Sequence, residues 1–449
     1  MKWLGRWCGI LLVVAASTST ASADSRFPRP QSLEPAISFW RAVFSRYSEQ
    51  QDVIHDDEYL DRVYEVLDYR DRAGSEGKLS REDEHLRDQE VRSEKERIRE
   101  ILLKLDRVGP NAPGLTAEER RIAAMFAKIP GSDRFQLAAD RVRSQSGLRR
   151  RFAAGIGRWS GYREEMRDVF RARGLPTELI VIPLFESCFD LDAYSKVGAA
   201  GVWQFMPSTG RLYMRVDGAI DERRDPVRST EAAAAHLGRD YELLGAWPLA
   251  ITAYNHGRGG MARATSELGT QDIGTIVQSY KGKSFGFASR NFYAEFLAAL
   301  DVVGRADHLW DDIPRREAPQ GREVRLRSPM RLREAARQTG VPREHLIAMN
   351  PAFLSMVIRN RASIPEGYRL RVPESSGDAQ VAMAQPGMAS RAAIPADPEY
   401  VIHTVKRGQT LAAIADRYDT SVRELQGLNG LRGKRPSLRV GQRLRIPPQ

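Results

Sequence analysis

The chain has 449 residues, 42% of them hydrophobic, which is enough for two or three domains with cores of their own and excludes a wholly disordered protein. A formal charge of +11, from 69 basic against 58 acidic side chains, suits any polyanion: nucleic acid, a membrane surface or an acidic wall polymer. The basic residues are spread along the chain without a DNA- or RNA-binding motif, so most of this charge reads as solvated surface.

The chain opens with a basic start (Lys2, Arg6), an apolar run from Cys8 to Ala16, and the small residues Ala21-Ser22-Ala23. This pattern predicts a secretory signal peptide over 1–23, cut before Asp24, with an uncleaved short anchor as the alternative. The run falls short of the roughly 20 residues that span a bilayer, and no later segment approaches that length, so no transmembrane helix is expected. Export argues against nucleic acid as a partner. Cys8 leaves with the signal, so Cys188 stands alone and reads as a core thiol. Residues 24–36 hold three prolines and form a lead-in. From Ile37 to about Gly174 the periodicity predicts helices throughout, with Phe39, Trp40, Val43, Phe44 and Tyr47 at three- and four-residue steps, and Leu60, Val63, Tyr64 and Leu67 likewise. The mixed-charge stretch Arg81 to Arg107 reads as an exposed helix. The first unit is therefore a helical N-terminal region over 24–150.

A second unit spans 151–313, where short helices alternate with glycine-bearing turns. Beyond it the chain repeats itself: residues 332–350 align without gaps on 411–429, an offset of 79. Each copy ends in a similar strand, and each reads as strand, helix, helix, strand. The copies occupy 322–373 and 400–448, joined by a small, polar linker over 374–399 that is expected to be flexible.

The chemistry gathers around Leu184-Phe185-Glu186-Ser187-Cys188-Phe189-Asp190. The run from Leu179 to Phe185 is apolar on nearly every face, and Pro183 is expected to kink it. A carboxyl at the end of such a buried run is either paired with an arginine or held protonated near neutral pH, as a general acid requires. A sugar-cleaving pair needs a second carboxylate. Asp190 and Asp192 are nearest in sequence, but they sit in a loop and read as turn residues. One catalytic acid is evident. The seven histidines show no metal-ligand spacing, and no metal or other cofactor is called for.

The Glu186-Ser187 pair is followed by Gly198-Ala-Ala-Gly201-Val-Trp203-Gln204-Phe-Met206-Pro207, then by Ala253-Tyr254-Asn255-His256-Gly257, then by Asn291-Phe-Tyr293. This ordered set resembles the lytic transglycosylase domain of the goose-lysozyme-like superfamily, and with the repeats it is most similar to the membrane-bound lytic murein transglycosylase D type. The resemblance implies a mainly α fold: a helical N-terminal region and a lysozyme-like α-helical catalytic domain, followed by small βααβ LysM modules. It also implies a lyase that cleaves the β-1,4 bond between N-acetylmuramic acid and N-acetylglucosamine of peptidoglycan without water, leaving 1,6-anhydro ends. Glu186 would act as sole acid and base, the substrate's N-acetyl group standing in for a second carboxylate. A non-catalytic wall-binding scaffold and a lysozyme-type hydrolase are the alternatives.

By the same resemblance Ser187, Gln204, Met206, Tyr254, Asn255 and Tyr293 would contact or line the glycan cleft. The surroundings of Tyr293 depart from the family pattern, which leaves a core aromatic as its other reading. Trp203 either faces a sugar ring or fills core, and His256 reads as a surface residue. In the last repeat, Gly408, Gln409, Thr410 and Asn429 would contact N-acetylglucosamine in a groove between their two loops, with Gln409 replacing the family's aspartate. The earlier repeat, with Pro329-Met330-Arg331 in place of the signature and five extra residues after Asn350, reads as a degenerate LysM-like module. Some relatives are lipid-anchored; Arg6-Trp7-Cys8 lacks that signature, so an exported, periplasmic and cell-wall-associated protein is expected, its partner the peptidoglycan strand.

Overall fold

The computed structural model describes residues 26–74, 77–311, 313–318, 320–374, 376, 383–384, 401–418, 422–429, 431 and 438–446. The expected signal peptide lies outside them. The architecture is mainly α. Helix α1 (Glu34–Ser45) precedes strands β1 (Gln51–Asp56) and β2 (Val63–Asp68). Helices α2 (Arg81–Val108), α3 (Ala117–Met125) and α4 (Arg134–Ala139) lead to β3 (Val142–Ser146). The body continues through α5 (Arg149–Ser160), α6 (Arg163–Ala172), α7 (Ile182–Ser187), α8 (Pro207–Tyr213), α9 (Pro226–Leu244), α10 (Trp247–His256), α11 (Arg258–Leu268), α12 (Ile273–Ser279), α13 (Phe287–Gly304) and α14 (Ala306–Leu309). Among the described residues no helix is long and apolar enough to cross a membrane.

The N-terminal region is not helical throughout: β2, β1 and β3 form an antiparallel sheet in that order. The periodicity misleads because β1 is buried on both faces, which removes the alternation that marks a half-exposed strand. Val53 joins the large core of the body, and its neighbour Ile54 joins a smaller core built with Ile98, Leu102 and Phe126. Helix α1 belongs to the large core too, and its Trp40 donates its indole N–H to Asn291 on α13 at 3.1 Å. The charged α2 starts at a Ser80 cap on the Asp83 amide and buries Ile98, Leu102 and Leu105 on one stripe, so its outer face stays solvated.

Both repeats have the expected order. The first consists of β4 (Arg322–Leu326), α15 (Leu332–Thr339), α16 (Arg343–Met349) and β5 (Arg369–Val372). Its extra residues build a further turn, α17 (Ser355–Ile358), and Met383–Ala384 of the linker adds a short strand, β6, to β4. The second consists of β7 (Val401–Thr404), α18 (Leu411–Arg417), α19 (Val422–Asn429) and β8 (Arg443–Ile446). One asparagine holds each unit together. Asn350 donates to the carbonyls of Leu346 (2.8 Å) and Arg371 (2.9 Å) and accepts from the Arg371 amide (2.9 Å). Asn429 repeats this with Leu425 (2.8 Å) and Arg445 (2.6 and 2.5 Å). In each case a side-chain amide mimics a strand and ties the last helix turn to the final β-strand.

Candidate active site

The apolar run before Glu186 divides in two. Residues 177–181 form a 3₁₀ turn and α7 starts at Ile182, so Pro183 occupies a first helical turn where its missing N–H is not needed. It therefore does not kink a continuous helix. Helix α7 ends at once: Cys188 (φ 52°) and Phe189 (φ 51°) are consecutive non-glycine residues in the left-handed region, a conformation that persists only where its surroundings impose it. Arg158 on α5 supplies that constraint, donating to the carbonyls of Cys188 (2.7 Å) and Phe189 (2.9 Å). Gly155 admits the turn, because a Cβ there would lie 2.5 Å from the Cys188 carbonyl oxygen. Burial pushes the Cys188 thiol up to about 11, as suits a packing residue. Asp190 accepts from the Asp192 amide at 3.0 Å and serves as a turn residue.

The tight turn leaves Glu186 half-buried at the helix end. No hydrogen-bond or ion-pair partner meets its carboxyl among the described residues, and burial alone pushes it up to about 8. Aromatic rings provide the dry surroundings. Phe185 meets Phe292 edge-on at 5.1 Å, and Phe292 stacks on Tyr254 at 6.1 Å. The Tyr254 hydroxyl donates to the Trp203 carbonyl at 2.7 Å, and burial together with Glu186 pushes its phenol well up. Helix α13 also brings a second carboxyl, Glu295, one turn beyond Phe292. Burial, and then the charge of Glu186, push it up to about 8. Sequence reading missed this residue, although the signal was the one that singled out Glu186: a lone carboxylate in an apolar run, here Ala294-Glu295-Phe296-Leu297-Ala298.

The glycine-rich loop is bonded on both sides of the acid. Ser187, expected at the sugar, instead points its buried hydroxyl at the carbonyls of Pro183 (3.1 Å) and Val202 (2.9 Å). It therefore ties the helix of Glu186 to the loop. Trp203 fills core, stacked on Phe170 and donating to Thr230 at 2.9 Å. Gln204 is only partly buried and holds φ 50°, with its side-chain amide donating to the Gly201 carbonyl at 2.7 Å. Met206 is 40% exposed at the start of α8. Asn255 is exposed and accepts from the Ser289 hydroxyl at 2.9 Å, beside a cavity of about 430 Å³ that Phe287 and Ser284 also line.

Two expectations change. Tyr293 lies fully buried, its hydroxyl donating to the Pro28 carbonyl at 2.8 Å. One residue from Phe292 on a helix, it faces away from Glu186 and fastens the lead-in to the body. His256 is not a surface residue: it is buried edge-on against Phe285 at 4.9 Å.

In the second repeat, Gly408 makes a left-handed turn (φ 82°), and the Gln409 side-chain oxygen accepts from the Lys406 amide at 2.7 Å and lies 2.9 Å from His403 Nε2. Thr410 caps α18 by accepting from the Ala413 amide at 3.1 Å. With Asn429 bonded to β8, three of the four expected glycan contacts serve the module's own fold. Most of the loop after Asn429, and with it the expected groove, lies outside the described residues.

Comparison with known proteins fits this geometry. Residues 170–277 match the family model described as Transglycosylase SLT domain, and residues 403–447 match the one described as LysM domain. Membrane-bound lytic murein transglycosylase D of Escherichia coli (strain K12) is 29% identical over 290 residues, covering 62% of this chain and 61% of that protein. Putative tributyltin chloride resistance protein of Alteromonas sp. (strain M-1) is 37% identical over 98 residues, covering 21% and 47% respectively. The chain thus spans less than two thirds of the length of these relatives. The X-ray structure of an inactive mutant of lytic transglycosylase Slt from Pseudomonas aeruginosa matches 33% of this chain and 24% of its own, at 23% identity and a TM-score of 0.26.

Proposed function

We propose that this chain, which carries a transglycosylase SLT domain followed by a LysM domain, is an exported lytic transglycosylase that cleaves the β-1,4 bond between N-acetylmuramic acid and N-acetylglucosamine. The observation that carries the reading is the carboxyl of Glu186, pushed up to about 8 by burial and without a cation to pair with among the described residues. At neutral pH such a group holds its proton and can give it away, which an arginine-paired carboxylate cannot.

In this reaction Glu186 protonates the glycosidic oxygen as its bond to C1 breaks, and the substrate's own N-acetyl group supports the developing cation. The resulting carboxylate then takes the proton of the 6-hydroxyl, whose oxygen closes on C1. One bond breaks and one forms, no water is consumed, and Glu186 recovers its proton. Glu295, raised by burial and by the charge of Glu186, is a second raised carboxyl beside the acid, and the masses of the products separate transglycosylase from hydrolase. Gln204, partly exposed, and Asn255, exposed, contact the glycan, with Met206 at its edge. Ser187 and Tyr254 hold the loop that presents Gln204. The LysM module tethers the enzyme to its polymer and raises the local concentration of bonds to cut.

The test is the mass of the muropeptides released from purified wall. Products lacking one water, with anhydro ends, are expected. Ordinary reducing ends would make the protein a hydrolase, and wall binding without release would make it a scaffold.

A further inference from the structure

The first repeat is docked on the catalytic body through residues 219–221. Ile220, a residue of the body, is fully buried inside the core of the repeat with Phe353 and Leu370. The backbone joins there as well: the Asp221 amide donates to the Ala352 carbonyl at 2.8 Å, and the Leu354 amide donates to the Ala219 carbonyl at 3.0 Å. Residues 352–354 lie in the stretch by which the first repeat is longer than the second. Ion pairs flank the joint, Arg369 with Glu231 at 2.6 Å and Arg371 with Glu165 at 2.6 Å, and the buried Arg228 reaches Glu323. Within the repeat, Met330 and Ile364, which lie outside its strands, exchange backbone hydrogen bonds at 2.9 and 2.7 Å.

The contact continues inward. Asp221 and Arg223, 5% and 3% exposed, form a two-pronged ion pair at 2.9 and 2.7 Å. The remaining Arg223 nitrogen donates to the carbonyls of Gly198 (2.8 Å) and Phe205 (2.9 Å), the two ends of the glycine-rich loop. Gly201 in its middle lies so close that a Cβ would stand 1.7 Å from the Arg223 carbonyl oxygen. From Val202 the path reaches Ser187, next to Glu186. Each link is a hydrogen bond or a close packing contact, the kind of contiguous network through which a displacement can be carried.

We propose that the first repeat braces the glycine-rich loop, with Ile220 and Arg223 as positioning residues for Gln204. Its extra residues form the grip. The proposal rests on the functional reading only in taking loop 198–206 to be the substrate-facing one.

Amide hydrogen exchange on the full chain tests the brace directly, comparing wild type, Ile220→Ala and Ile220→Val. In Ile220→Ala, exchange across 198–206 is expected to rise about 10-fold, as a local opening would allow. Turnover of purified wall should fall by about 10-fold in kcat/KM, the usual scale of a small misplacement, and Ile220→Val should restore both. Faster exchange confined to 322–372, with 198–206 as protected as in wild type, would overturn the brace. A wild type that releases no anhydro products would instead sink the functional reading, while the exchange data would still decide the brace.

Discussion

The cleft and the second repeat use their polar residues in opposite ways. Around Glu186, two carboxyls have no cation beside them among the described residues, and three non-glycine residues, Cys188, Phe189 and Gln204, hold left-handed backbone. In the second repeat, Gln409, Thr410 and Asn429 have hydrogen bonds within the module. A motif residue can thus be characteristic of a family because it reacts or because it closes the fold. Unspent polarity and strained backbone mark the first kind.

The sharpest test of this contrast is Glu186→Gln, which keeps the shape and removes the proton. Release of muropeptides should fall on the order of 100- to 10,000-fold, and an unimpaired variant would break the assignment. The same substitution should stabilise the protein. Folded Glu186 titrates at about 8 and the unfolded chain at about 4.3, so between those values the folded state holds a proton that the unfolded state releases. Its stabilising contribution is complete below about 4.3 and is lost as pH rises toward 8. Glutamine removes that loss, so the Tm at pH 7 should rise by about 2–4 °C for each kcal/mol regained. A lower Tm would mean that the carboxyl is held by contacts, as in the repeat.

Next in size is Gly201→Ala, which meets the Arg223 carbonyl and a φ of 74°. It should cost about 3 kcal/mol or more, seen as early melting of the catalytic body with the second repeat unaffected. Asn429→Ala leaves two backbone partners without a bond and should destabilise the second repeat by about 1–3 kcal/mol. Wall binding would then be lost together with folding of that unit, as followed by exchange at β8. Loss of binding with β8 intact would return Asn429 to the glycan contacts. The smallest effect belongs to Glu295→Gln. Burial alone raises Glu186, and it is the charge of Glu186 that acts on Glu295, so the alkaline limb of the pH–rate profile should stay where it is in wild type. A limb moved down would mean that Glu295 carries charge beside Glu186 in the working pH range.

Much of the site was legible because the features that carry it are local. An apolar run ending in Glu186 marks that carboxyl as either arginine-paired or held protonated, and the offset of 79 residues exposes two copies of one small fold. Glu295 was equally visible, but nothing local joins it to a residue 109 positions earlier in the chain. The β-sheet of the N-terminal region was hidden for a related reason: β1 lies between two cores, and burial on both faces erases the period that identifies a strand.

The sequence by itself determined the mainly α class, the order of the motifs, the βααβ repeats and the candidate acid, since each follows from residue type and short-range spacing. Only the tertiary structure decided what each polar group faces. It turned Tyr293 toward Pro28, spent Ser187 on Val202, set Glu295 beside Glu186, and buried Ile220 in the first repeat. Hydrogen bonds and burial are satisfied by whatever the fold brings near, and for these four residues the partner lies between 15 and 265 positions away.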